Sequence, residues 1–340
     1  MPYLRSDRRR LSPAPRGFVA MLCLSLAALP ALAAGADGKK KASSADEGPS
    51  KQFEYQVLLQ PQKFKTRAAG VAKFFAYLED DIEGELKKKK FKYTKETGNN
   101  EKRVAVFLDT SGGDLKRARF ALRYRRTLEK WDSRTKKWLE VKAEDSHANL
   151  TIKHNAVSEK VALREDLTPA DAYVRGAENK GKWQSKLEWD YYQPGNKKCA
   201  YSVSLYGKHF RSCVGGLQDL PDMKAVGKLL PGLMKRLKLP ETTKLTRRYE
   251  FRWTRDDIKL ELGRKKCVGT LMLVYRTQEE LDAGSSAPQK IEFSWRLKEK
   301  SLNKKSIANS ETVRKMLWKG VWAVPADKRP PAGGVSDGDR

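Results

Sequence analysis

The chain has 340 residues, with 70 Lys and Arg against 42 Asp and Glu, and a formal net charge of +28 at pH 7. Arg5, Arg8, Arg9, Arg10 and Arg16 against Asp7 fall in the first 33 residues, so about +24 of this excess belongs to the remainder. Hydrophobic residues at 39%, with eight Trp, exclude a wholly disordered chain, and the charge points to anionic partners such as polyphosphate, nucleotide, nucleic acid or an anionic surface.

The first segment reads as an export signal. Arg8-Arg9-Arg10 form a basic stretch, Gly17–Leu29 an apolar one, and Ala31-Leu32-Ala33 a small-x-small cleavage site, so residues 1–33 are assigned as a signal peptide. The apolar run is short for a membrane span and is broken by Pro30. A periplasmic or secreted protein is expected, with no transmembrane span after cleavage. Three cysteines then remain: Cys199, Cys213 and Cys267. Cys199 and Cys213 flank a predicted hairpin and are the best candidates for a bridge, the alternative being three buried free thiols. His147, His154 and His209 do not cluster, and no cysteine has metal-site spacing, which argues against zinc.

Residues 34–51 are small and polar and are expected to form a disordered linker, as is the tail 325–340. One domain is expected over 52–324. Phe53, Tyr55, Val57 and Leu59 share one face of a first strand, with Glu54 and Gln56 on the other. Val71, Phe74, Phe75, Leu78, Ile82 and Leu86 recur at helical spacing. Val104–Leu108 alternates as a strand, Ser111-Gly112-Gly113 breaks it, and Phe120, Leu122 and Tyr124 then alternate with Arg123 and Arg125. Further strands are predicted at Trp138–Val141, Leu150–Lys153, Val161–Leu167 and Tyr201–Phe210. Residues 170–198 read as polar with scattered aromatics. A helical stripe runs from Met223 to Leu237, split or kinked at Pro231. Strands return at Arg248–Trp253, Ile258–Leu262, Leu271–Tyr275 and Ile291–Leu297, and a last helix is predicted from near Ser310.

This pattern predicts an α+β fold: a tunnel-like antiparallel β-barrel of about eight strands with helices packed outside. A half-barrel or two packed sheets would give the same periodicity. In a closed barrel one polar strand face points inward, where like charges are costly without a counter-ion or guest. The candidate inward cations are Arg123, Arg125, Lys153, Arg164, Lys244 and Arg248, with Arg252 and Arg296 as further members. A bulge would turn Arg247 inward in place of Arg248. Glu54, Glu261 and Glu292, with Glu250, are the carboxylates that could hold a hard divalent cation. The bland alternative is a solvated outer sheet face.

Asp109-Thr110 followed by Ala121-Leu122-Arg123-Tyr124-Arg125 resembles the DT…LRxR signature of the CYTH family, the triphosphate tunnel metalloenzymes. Phe53-Glu54-Tyr55-Gln56-Val57-Leu58 resembles that family's first strand, E-x-E-x-K, with only the first Glu kept. Lys153 resembles its lysine strand, Arg164-Glu165 its Arg-Glu step and Lys244–Arg248 its K-x-R strand. Ile291-Glu292-Phe293-Ser294 resembles its closing E-x-E with one carboxylate lost. The resemblance implies phosphate binding by Arg123, Arg125, Lys153, Arg164, Lys244 and Arg248, and Mg or Mn held by Glu54, Glu292 and Glu261. The depleted acidic half implies weak metal affinity. The expected function is therefore binding of triphosphate, polyphosphate or nucleotide in a basic tunnel, with at most slow metal-dependent phosphohydrolysis. The alternative is a non-catalytic basic protein binding an anionic envelope or nucleic acid, although no groove-reading motif supports nucleic acid.

Overall fold

The structure is a computed structural model describing residues 48–325, apart from 89–91, 143–147, 176–181, 194–195, 207–209, 211–213, 215 and 263–264. The expected signal peptide, all but the last residues of the linker, nearly all of the tail, and Cys213 with its proposed bridge lie outside the described residues. Ten strands form one sheet: β1 Ser50–Leu59, β2 Lys92–Thr110, β3 Phe120–Asp132, β4 Lys137–Glu140, β5 Asn149–Ala156, β6 Lys182–Gln193, β7 Asn196–Tyr206, β8 Leu245–Leu262, β9 Lys265–Tyr275 and β10 Lys290–Lys298. Their order is β2-β8-β9-β10-β1-β6-β7-β5-β3-β4, and β2 also pairs with β3. Nine strands therefore close into a barrel, and β4 is a hairpin flap on β3. All neighbours are antiparallel except β1 and β6, which run parallel with Glu54 opposite Asp190. The half-barrel and two-sheet alternatives are thereby removed.

The two faces of the wall follow directly from residue alternation. Tyr55, Val57, Phe293 and Trp295 are buried on the outside, where Tyr55 donates to the Ile307 carbonyl at 3.4 Å and Phe293 meets Phe74 edge-on at 5.6 Å. The outer helices are α1 Arg67–Tyr77, which continues through a π-helical turn at Leu78–Ile82 into α2 Glu83–Lys88, and the long C-terminal helix Lys304–Lys319. All six apolar positions of the predicted Val71–Leu86 stripe are buried. Truncating Phe74, with no exposed surface, would cost about 3–5 kcal/mol.

Several elements depart from the sequence reading. Val161–Leu167 is not a strand. Ser158 Oγ accepts the Val161 N–H at 3.3 Å and starts the short helix α4, Glu159–Ala162, so Arg164 sits exposed on the turn that follows. Beyond it lie α3 Asp114–Arg117 earlier in the chain and α5 Asp171–Arg175 later. Pro231 splits the stripe cleanly into α6 Met223–Gly227 and α7 Pro231–Leu237, opening the second as its first residue. After α8, Gln278–Ala283, the C-terminal helix (α9) begins earlier than Ser310, because Asn303 and Ser306 form a reciprocal capping box. Ser306 and Ser310 lie on its buried face with Val313 and Leu317. The segment 170–198, read as merely polar, supplies β6. Arg248–Trp253 and Ile258–Leu262 are one strand with an irregularity between Arg255 and Ile258.

Candidate functional site

The inward face can be read off the register. Phe107 pairs with Arg123 and with Arg248, Ala105 with Arg125 and Glu250, and Arg103 with Arg252. Arg123 pairs with Thr151 and Ala121 with Lys153; Lys153 pairs with Ser202, Ser202 with Lys186, and Glu54 with Asp190 and Arg296. Period-two alternation carries this polar face around the whole ring. Side chains from opposite walls also act on one another: Arg123 and Arg125 of β3 feel Arg296 of β10, and Arg123 feels Glu188 of β6.

Most lumen charges are paired. Arg296 donates to Glu54 at 2.9 Å, and its pKa is raised chiefly by that carboxylate. Lys153 reaches Asp190 at 2.6 Å and Glu188 at 3.3 Å. Burial alone would lower the Lys153 pKa, but the two carboxylates more than reverse it. Glu188 also accepts from Gln52, and Tyr192 donates to Asp190 at 3.0 Å. Glu250 takes Arg252 and, at 3.4 Å, Arg248. Glu292 takes Lys290 at 3.1 Å, and Arg103 donates to Glu101 at 2.6 Å.

Two guanidiniums stand apart. Arg123 has no carboxylate partner among the described residues, and its Nε is a buried donor without an acceptor. Burial and then Arg252 depress its pKa to about 10. Among the described residues Arg125 has only Asn149 Oδ1 at 3.4 Å, and its pKa is pushed well below the ordinary value, first by Arg123 and then by burial. Guanidinium remains protonated across the ordinary pH range, so Arg123 and Arg125 keep their charge against burial and their cationic neighbours. Lys186 is the third weakly compensated cation. Burial lowers its pKa and Glu188 only partly offsets this. Gln56 Oε1 and Asp190 Oδ1 are likewise buried without partners.

The sequence candidates therefore divide. Arg123, Arg125 and Lys153 share the lumen, and Arg248 lies at its edge, half exposed and over the Phe107 ring at 4.8 Å. Arg247 points outward instead and donates to the Leu217 carbonyl at 2.8 Å. Arg164 and Lys244 do not line the interior. Arg164 is exposed on its turn, and Lys244 precedes β8, 76% exposed and 3.4 Å from Asp222. Of the carboxylates, Glu54 and Glu292 are buried in the lumen, but Glu261 lies nine residues beyond Arg252 on β8 and pairs with Lys266 at 2.8 Å. In an extended strand that separation is roughly 30 Å. The residues missed were Lys186, Glu188 and Asp190. Trp183, Leu187, Trp189 and Tyr191 alternating with them was the available signal.

The carboxylates do not suit a resident divalent ion. Glu54, Glu188, Asp190, Glu250 and Glu292 each answer a lumen cation, and no group of three or more ligating side chains gathers among the described residues. A cavity of about 410 Å³ on the outer wall, lined by Phe75, Trp131, Trp138 and Trp253 among others, lies away from these charges. There Arg255 covers Phe75 at 4.4 Å, Arg67 covers Trp253 at 5.9 Å and Lys102 covers Trp138 at 5.0 Å, so the ring faces already have cations of the chain itself.

The paired residues of the DT…LRxR signature have different roles. Asp109 accepts the N–H groups of Leu115 at 2.9 Å and Lys116 at 3.1 Å, while Thr110 bonds Asp114. They hold the β2–β3 connection, where Gly113 takes φ 71°, a value that suits glycine.

No family profile and no curated protein matches the chain. Among solved structures it is similar to a Hippeastrum protein named as an adenylyl cyclase and described as having dominant triphosphatase activity, at 10% identity and a TM-score of 0.38 over 81% of this chain and 91% of that one. It is also similar to a Bacillus halodurans protein named as an adenylate cyclase (11%, 0.37, 82% and 95%) and to a Pyrococcus horikoshii OT3 protein (12%, 0.30, 78% and 88%). All three likenesses are distant in sequence and in shape.

Proposed function

We propose that this protein binds a multiply charged anion, such as triphosphate, polyphosphate or the phosphate chain of a nucleotide, inside its barrel. The observation that carries the reading is the same-face pair Arg123 and Arg125, facing the lumen with no carboxylate in ion-pair contact among the described residues. Two like charges side by side in a partly enclosed lumen, one with a buried unpaired Nε, carry a penalty that a bound anion relieves. A phosphate chain supplies both the missing charge and acceptors for the planar guanidinium donors, including the orphaned Arg123 Nε. Lys186 adds to the attraction from the facing wall. The CYTH-like sequence signature agrees with this use of the barrel. The pairing of the lumen carboxylates with cations favours binding without a metal over hydrolysis. The signal-like leader makes the reading one of an exported protein.

Calorimetric titration with inorganic triphosphate, with and without EDTA, tests it. Saturable binding that survives EDTA, weakens with added salt and is lost in Arg123→Ala/Arg125→Ala is the expected result. Binding indifferent to salt and to both substitutions would overturn it. Phosphate release that needs Mg or Mn, and that disappears in the double variant, would replace it with the hydrolase reading.

A further inference from the structure

Phe107 is an aromatic ring on the wrong side of the wall for a core residue. Its strand neighbours Val106 and Leu108 belong to the buried outer cluster, whereas Phe107 is partly buried on the lumen face and is not among the residues packed against that cluster. Three guanidiniums surround it: Arg248 with its carbon 4.8 Å from the ring centroid, Arg252 at 5.8 Å and Arg123 at 6.0 Å. They come from the strands on either side, β3 and β8, and two of them are directly opposite Phe107 in register. Burial and, after it, the charge of Arg252 depress the Arg123 pKa. Glu250 serves Arg252 and Arg248, and it does not hydrogen-bond Arg123.

We propose that Phe107 is a positioning residue for the anion site, its ring face gathering Arg123, Arg248 and Arg252 into one donor array. The inference rests on the polyanion reading of the lumen and goes beyond it by assigning a role to an apolar side chain. The physical reason is a division of labour. A π-face attracts a cation through its quadrupole while leaving the guanidinium N–H edges unspent. A carboxylate in the same place would consume those edges and would have to be displaced by the incoming phosphate, as Asp190 would at Lys153. The ring thus holds three like charges close together without itself taking their donors; Glu250 engages some donors of Arg252 and Arg248, and those of Arg123 stay unspent.

The test uses the mature protein in three forms: unsubstituted, Phe107→Leu and Phe107→Trp. The outer-face variant Tyr249→Leu, from the exposed side of β8, is the control. Arginine Nε–H resonances are followed by NMR without ligand, and triphosphate binding is followed by titration. The expected result is that Phe107→Leu erases the ring-current shifts of several arginine Nε–H signals and weakens triphosphate binding about tenfold, a size that follows from losing several Arg–aromatic contacts. Phe107→Trp restores both properties, and Tyr249→Leu changes neither. Unchanged arginine signals or unchanged affinity in a folded Phe107→Leu overturn the role of the ring and leave the lumen reading standing. Should Phe107→Leu fail to fold, Phe107→Trp decides: loss of affinity with the ring retained overturns the inference, and wild-type affinity supports it. Failure of the unsubstituted protein to bind triphosphate sinks the lumen reading, and this inference with it.

Discussion

Lys153 Nζ reaches Asp190 Oδ2 at 2.6 Å by passing over the whole of β7, which lies between their strands. The pair is enclosed, and Asp190 itself has no exposed surface. A lysine that the sequence offers as a phosphate ligand is therefore already answered from within the chain. Burial raises the Asp190 pKa and Lys153 opposes that rise, while Asp190 in turn stabilises the Lys153 ammonium.

Asp190→Asn separates the two demands on Lys153. Breaking a buried ion pair from one side costs about 3 kcal/mol of stability, read as a lower urea midpoint at constant slope. Glu188 at 3.3 Å limits the loss. The same change frees part of the Lys153 charge, so triphosphate affinity should rise by about threefold. A drop in affinity in the folded variant would show that Asp190 helps the ligand rather than competing with it.

Arg123→Gln should stabilise the unliganded protein and disable it. The folded state disfavours the charged Arg123, so its removal relieves a penalty. Partial exposure of the side chain screens most of that penalty, which leaves about 1 kcal/mol. Loss of an Arg–phosphate contact should weaken triphosphate binding by about a hundredfold. Thermal unfolding with and without ligand reads both effects. Lower unliganded stability would mean that Arg123 is compensated in solution.

Lys186 predicts opposite trends with pH. Its folded pKa lies below the ordinary lysine value, so folding disfavours its charge. As pH rises through that depressed value toward 10.5, the unliganded protein gains stability from this group, because the penalised charge is lost. Over the same window triphosphate affinity falls. Lys186→Arg keeps the charge and should move the fall in affinity to higher pH. Titrations at pH 8, 9 and 10 suffice, and superimposable profiles for the two proteins would exclude Lys186 from the site.

Asp109→Ala tests whether the first half of the signature is structural. Losing its three backbone hydrogen bonds, from the N–H groups of Thr110, Leu115 and Lys116 at the β2–β3 connection, should cost about 1–2 kcal/mol, as for a helix cap. Triphosphate affinity should change by less than about twofold, since no lumen charge is removed. A large loss of affinity at full stability would instead make Asp109 part of the site.

Alternation and helical spacing are local properties, and they carried most of the architecture. They assigned the faces of β1, β3 and β10, the buried stripe of α1 and α2, and the break at Pro231, because each residue's side is fixed by its immediate neighbours. Arg123 and Arg125 were legible as a shared polar face for the same reason. The reading failed where local chemistry competes with alternation. Ser158 caps a helical turn that carries Arg164 out to solvent, and in β6 the charged lumen residues masked the apolar face behind them. Closure of the barrel, the parallel pairing of β1 with β6 and the partners of each charge were decided only in three dimensions. An ion pair such as Lys153 with Asp190 joins residues distant in sequence, and its energy depends on burial that no single segment specifies. The sequence by itself determined that cations would line one face of a pleated wall. The tertiary structure decided which of them were neutralised, and so left Arg123 and Arg125 without an ion-pair partner among the described residues.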